Sequence, residues 1–335
     1  MSVSSVAEGQ QTTAACGSSG ANHSKSTVVI DTQHQDVVHD TQFDYYGQLV
    51  ASASSDGTVK IFSVQSQNLV ATLTGHEGPV WMISWAHPRF GAVIASASFD
   101  RRVIVWKDAG SGSWRPVHFI TVHTSSVNAV QWAPQEYGSI LASAGSDGAV
   151  AVTKCTAGAW SEPVMGKTRA GTSAHPLGAT GVSFAPYHAF AADYCLLASS
   201  GCDGKVCVWK VATGDTNSVL TVSPVAELPL HKKDWVRDVA FNPDASSSFI
   251  TIASCGEMSV VIARKARDGF LDDAVSQMEG WDISVTPIAG QAWRLSWSPC
   301  GTMLLVTTDT NEVFTLTEGS TFTDNWLIAP VQYEQ

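Results

Sequence analysis

LTGHEGPVWMISWAHP, residues 73–88, runs on into IASASFDRRVIVW at residues 94–106. From His76 the chain reaches Val80 after four residues and Trp85 after nine, then Ala95-Ser96, Asp100 and Val103–Trp106. The apolar residues alternate with period two, in short runs broken by Gly, Asp or Asn. That is the signature of short antiparallel strands joined by tight turns. A helix would need apolar residues every 3.6 positions, and that spacing is absent.

The same arithmetic recurs on both sides of this stretch. His34 leads to Val38 and Phe43, His123 to Val127 and Trp132, and His175 to Ala179 and Phe184. His231 leads to Val236 and Phe241 with one residue inserted, and Ile288, where the His is lost, leads to Ala292 and Trp297. An Ala-Ser then Asp landmark follows at Ala51-Ser52/Asp56, Ala142-Ser143/Asp147 and Ala198-Ser199/Asp203. The fifth copy keeps Ala253-Ser254 but has Met258 where Asp is expected, and the sixth has Asp309 one residue out of phase. The period is 42 to 57 residues, the range of propeller blades built from four strands each. The fold class expected is all-β, a six-bladed propeller over residues 26–330. Residues 1–25, poor in large apolar groups, are expected to be a disordered tail, and 331–335 a short C-terminal tail.

The register resembles the WD-repeat family across residues 27 to 330, although only Trp106 and Trp209 keep the name-giving residue. Phe62, Thr153, Ala263 and Leu316 stand in its place elsewhere.

Ten histidines and regularly placed aspartates invite an enzyme reading. Yet His34/Asp56, His76/Asp100/Trp106, His123/Asp147 and His175/Asp203/Trp209 repeat blade after blade. Catalysis needs one converging constellation; a bond required in every blade is structural. No catalytic residue, metal site or cofactor site is therefore expected, and no phosphate-cradling glycine loop is present. His87 and His188 are expected in loops. The cysteines, Cys16, Cys155, Cys195, Cys202, Cys207, Cys255 and Cys300, are odd in number and lack a CxxC pair. They read as reduced, mostly buried thiols of a cytosolic protein.

Composition narrows the partners. The net charge is −11 and only 19 Lys and Arg are spread along the chain, so direct binding to nucleic acid is not expected. There is no apolar run of membrane-spanning length, and a secretory signal is not expected.

Several longer stretches narrow the family: HDTQFDYYG at 39–47, SSVNAVQWAPQEYGSILASAGSDGAV at 125–150 and DWVRDVAFNP at 234–243. With residues 73–106 they are similar to the Sec-thirteen family, the small propeller of the coat protein complex II (COPII) outer cage. That family also serves the Y-shaped scaffold complex of the nuclear pore. The resemblance implies a non-enzymatic scaffold in ER-to-Golgi transport, at the pore, or both. It would be peripheral at ER exit sites or at the pore, and part of a heteromeric assembly. An alternative from another class is a peptide-reading substrate receptor of a ubiquitin ligase, which a basic pocket would favour. Arg101-Arg102 and Lys232-Lys233 are the basic pairs on offer, and a solvated surface is the commoner reading of such pairs.

Counting strands bears on closure. Outer strands are expected at Leu69–Leu73, Val117–Thr121, Ser161–Lys167, Val225–Leu230 and Ser284–Ile288, and blade six has its own at Trp326–Ala329. Thr27, Val28, Val29 and Ile30 then form an orphan outer strand. Counting alone leaves two readings, a closed ring with Trp326–Ala329 as a packed tail, or an open one. The resemblance favours the open ring, completed by a seventh blade from an α-helical solenoid partner. The expected partner edge is Thr27, Val28, Val29, Ile30, Trp326, Leu327 and Ile328.

Overall fold

The computed structural model describes residues 29–110, 112–187, 193–212, 219–232, 234–268, 270–271, 278–319 and 326–331. The expected disorder of residues 1–25 lies outside them, as do Thr27, Val28 and His188.

Six antiparallel sheets follow one another along the chain. Blade one is β1 (Val38–Phe43), β2 (Leu49–Ser54), β3 (Thr58–Ser63) and β4 (Leu69–Thr74). Blade two is β5 (Val80–Trp85), β6 (Val93–Ser98), β7 (Val103–Asp108) and β8 (Trp114–Ile120). Blade three has β9 (Val127–Trp132), β10 (Ser139–Gly145) and β11 (Val150–Thr156). Its outer strand is split into β12 (Ala159–Trp160) and β13 (Val164–Met165), which both pair with β11. Pro163 lies at the break, where a residue without an N–H cannot extend the ladder.

Blade four is β14 (Ala179–Phe184), β15 (Tyr194–Gly201), β16 (Val206–Ala212) and β17 (Thr221–Leu228). Blade five is β18 (Asp238–Phe241), β19 (Phe249–Cys255), β20 (Ser259–Ala266) and β21 (Trp281–Pro287). Blade six is β22 (Ala292–Trp297), β23 (Met303–Thr308), β24 (Val313–Thr317) and β25 (Leu327–Pro330).

The core is a series of layers between blades. In the second strand of each of the first five blades an alanine faces the next blade: Ala51, Ala95, Ala142, Ala198 and Ala253, all 0% exposed. Against them pack the inner-strand aromatics of the following blade, Trp85, Trp132, Phe184, Phe241 and Trp297. Small residues on one wall let large ones on the other approach closely.

Two expectations change here. Val29 and Ile30 belong to no strand. The outermost place of blade six is filled from within the chain by β25, which pairs with β24. The segment is instead tied to blade one, where the Lys60 ammonium donates to the carbonyls of Thr32 and Gln33. Trp326, expected on an open edge, is 4% exposed. Its ring meets Trp297 edge-on at 5.8 Å in the core between blades five and six. Packing of inner strand on inner strand continues from β1 through β5, β9, β14 and β18 to β22, and β22 has no comparable packing against β1. The ring is open.

Candidate functional site: the unsealed junction between blades six and one

The repeated His and Asp residues are joined as structural bonds. In blade four, the His175 ring nitrogens lie 2.9 Å from Asp203 Oδ1 and 2.9 Å from Ser199 Oγ, and Trp209 donates to that hydroxyl at 2.9 Å. Blade two repeats the set with His76, Asp100, Ser96 and Trp106 at 2.7 to 2.9 Å. Because a carboxylate only accepts, Nδ1 carries the proton. Nε2 then accepts from the serine, whose oxygen accepts the indole N–H. The order of donation is Trp, Ser, His, Asp, with every member satisfied. His34/Asp56/Ser52 and His123/Asp147/Ser143 make the same bonds without an indole. Ser96 and Ser199 are fully buried, so neither hydroxyl is open to a substrate.

Burial by itself raises the carboxyl pKa of Asp100. The bonds from His76 and from the backbone N–H of Glu77 and Arg102 outweigh it and hold the group at about 2. Asp147, bonded by His123, Thr124 and Ala149, is likewise held at about 2. Among the described residues no group of three or more His, Cys, Asp or Glu is placed to hold a metal.

Blade five shows what losing the Asp does. Its turn is one residue shorter than that of blade four, so Met258 lies exposed on the surface rather than beneath His231. Among the described residues the His231 ring is hydrogen-bonded to Ser254 alone, at 2.8 Å. Burial, slightly opposed by the charge of Asp234, lowers its pKa to about 4. A depressed histidine stabilises the fold above its unfolded value of about 6.5, and that contribution is lost as pH falls from there to about 4. A shift of this size corresponds to about 3 kcal/mol. Urea unfolding between pH 7 and 4 is expected to show a smaller acid-side loss of midpoint in His231→Gln than in the parent chain. The paired aspartates contribute a separate loss, only below about pH 4.

In blade six Ile288 fills the His position, and Asp309 is retained in a shifted register, accepting from the Gln291 N–H at 2.9 Å.

At each seam along the chain, side-chain and main-chain groups of one inner strand are hydrogen-bonded to the next. Asp40 Oδ2 accepts Ile83 N–H at 3.0 Å, and the Trp85 indole donates to the Gln42 carbonyl at 3.1 Å. Ser84 Oγ accepts Trp132 N–H at 3.2 Å, and the same tryptophan's indole donates to the Ser84 carbonyl at 3.1 Å. Gln131 accepts Phe184 N–H, and Ser183 Oγ accepts Phe241 N–H at 3.0 Å. Asp238 Oδ2 accepts Leu295 N–H at 2.9 Å, and the Trp297 indole donates to the Ala240 carbonyl at 3.2 Å. Among the described residues no hydrogen bond joins blade six to blade one.

The side chains bracketing that last seam are correspondingly uncovered. Phe43, in the register of Trp132, Phe184 and Phe241, is 48% exposed where they are 6–8%. Leu305 stands opposite Ser296 in the register of the five buried alanines, yet is 38% exposed. Of the expected edge residues, Leu327 and Ile328 lie exposed on β25 at the rim of blade six. Val29 and Ile30 precede blade one, and Trp326 is core. Sequence reasoning missed Phe43, Ser296 and Leu305 as site residues. The available signal was Leu305-Val306 where the other blades have Ala-Ser.

The model of the WD domain, G-beta repeat, matches residues 25–63, 67–107, 114–152 and 167–210. Protein transport protein SEC13 of Yarrowia lipolytica is 38% identical over 294 residues, which cover 85% of this chain and 93% of that protein. The chain belongs to the Sec13 family. The Schizosaccharomyces pombe protein transport protein sec13 is 40% identical over 299 residues, covering 86% of this chain and 95% of that one. The Arabidopsis thaliana protein transport protein SEC13 homolog A is 41% identical over 305 residues, covering 85% and 92%. A solved chain from the Mitotic Checkpoint Complex superposes with a TM-score of 0.63 at 18% identity, over 88% of this chain and 78% of that one. At that identity the likeness speaks to the WD propeller fold. At 85% of the chain the family match extends past residue 210, where the repeat model's matched segments end.

Proposed function

We propose that this Sec13-family chain is a non-enzymatic scaffold subunit of protein transport, in the COPII vesicle coat for ER-to-Golgi traffic, the nuclear pore Y complex, or both. It works in a heteromeric assembly, peripheral at ER exit sites and at the pore. An α-helical solenoid partner inserts a β-blade between blades six and one. The observation that carries this reading is the seam bracketed by Leu305 and Phe43, unsealed in a ring whose other seams are hydrogen-bonded. Exposed apolar side chains flanking an unpaired place in a sheet stack are suited to strand addition. The relatives' names as protein transport proteins agree with it.

Affinity purification from native cells with mass spectrometry tests it. A coat solenoid or Y-complex subunits are expected; recovery of a ubiquitin-ligase adaptor alone would overturn the proposal. Leu305→Arg, which puts a charge on an exposed wall of the seam, is expected to cut partner recovery at least tenfold. The melting temperature of the free chain should stay unchanged, because Leu305 seals no internal layer.

A further inference from the structure

The seams share a bonding rule, and blade six presents one half of it with nothing opposite. At the seams after blades one, two and five, a tryptophan ending the incoming inner strand donates its indole N–H to a carbonyl of the outgoing one: Trp85 to Gln42, Trp132 to Ser84, and Trp297 to Ala240. At the seams after blades two and four, a serine hydroxyl at that same register takes the backbone N–H of the incoming aromatic: Ser84 from Trp132 and Ser183 from Phe241. The pairings Gln42 with Ala51, Ser84 with Ala95, Ser183 with Ala198 and Ala240 with Ala253 define that register. Ser296, opposite Leu305, occupies it in blade six.

Ser84 and Ser183 are 6% and 5% exposed beneath their aromatic neighbours, whereas Ser296 is exposed. Blade one does not supply the missing donor. Its residue in the aromatic register, Phe43, makes no hydrogen bond to Ser296 among the described residues and is itself exposed.

We infer that the innermost strand of the inserted blade carries an aromatic residue, with tryptophan the best fit, seated against Ser296. Its backbone N–H bonds the Ser296 hydroxyl and its indole N–H bonds the Ser296 carbonyl. The inference rests on the blade-insertion reading above and adds the chemistry by which blade six selects its neighbour. A buried aromatic that also satisfies a carbonyl and a hydroxyl is the kind of contact that dominates an interface. A strand with a small or charged residue there would leave the Ser296 carbonyl without its indole donor and the space beside it unfilled.

The test places photoreactive benzoyl-phenylalanine at position 305 of the full chain, cross-links in native cell extract and sequences the attached peptide. A partner strand bearing an aromatic residue is expected. Ser296→Val should weaken the recovered complex about tenfold, with the melting temperature of the free chain unchanged. Cross-linking to a partner strand without an aromatic, or binding indifferent to Ser296→Val, would overturn this inference while leaving blade insertion standing. Cross-linking only to blade one of the same chain would instead show a closed ring, and both would fall.

Discussion

Trp209→Ala is expected to lower the unfolding free energy by about 3–5 kcal/mol, the usual cost of removing a fully buried large aromatic. The indole is 0% exposed between blades three and four, in one cluster with Ala142, Val152, Leu197 and Val211. Gly166 passes so close that a Cβ there would lie 3.3 Å from the ring, so the surrounding backbone has no side chain with which to fill the space. The indole N–H also donates to Ser199 Oγ, which in turn bonds His175. Trp209→Phe keeps most of the packing and removes only that donor, so a smaller loss of about 1–2 kcal/mol is expected. Urea unfolding of both variants separates packing from hydrogen bonding. Equal losses would mean that the hydrogen-bond chain, rather than the filled volume, holds this seam.

A second large loss is expected at Gly148. Its φ is +76°, and a Cβ built on it would overlap the carbonyl oxygen of His175 at 2.0 Å. Its own carbonyl accepts the His175 N–H at 3.0 Å and the Ser173 hydroxyl at 2.7 Å. Gly148→Ala must therefore push the turn of blade three away from the segment that seats His175, at a cost of about 3 kcal/mol or more. Gly57 has the same Asp-Gly sequence and nearly the same φ, +80°, but the nearest atom to its Cβ is 3.4 Å away. Gly57→Ala should cost only about 1 kcal/mol, the penalty of the left-handed conformation itself. Thermal melts of the two variants compare directly. Equal shifts would show that dihedral preference rather than steric overlap governs both.

The chain's own residues set out the blades, because each blade is a local object. Alternation over a few residues and a turn aspartate place Leu69–Thr74 to within a residue, but Thr221–Leu228, expected at Val225–Leu230, begins four residues earlier. The recurring His and Asp spacing announced a bond made in every blade, and those distances are short wherever both residues are present. The seam between blades six and one was legible only as a strand count. Its particulars, Phe43, Ser296 and Leu305, came from the burial of equivalent positions across blades.

Sequence, then, determined the number of blades, the strands within each and the hydrogen-bonded His-Asp sets, since all of these are encoded within one repeat. Tertiary structure alone decided what repeats do to each other. It put Trp326 in the core and left Val29 and Ile30 without a strand. It made Gly148 and Gly57 unequal despite identical dipeptides, and it left the last seam unsealed. The physical reason is that identical local patterns acquire different neighbours once the chain curves into a ring. Whether a side chain is covered depends on residues far away in sequence, which no local spacing records.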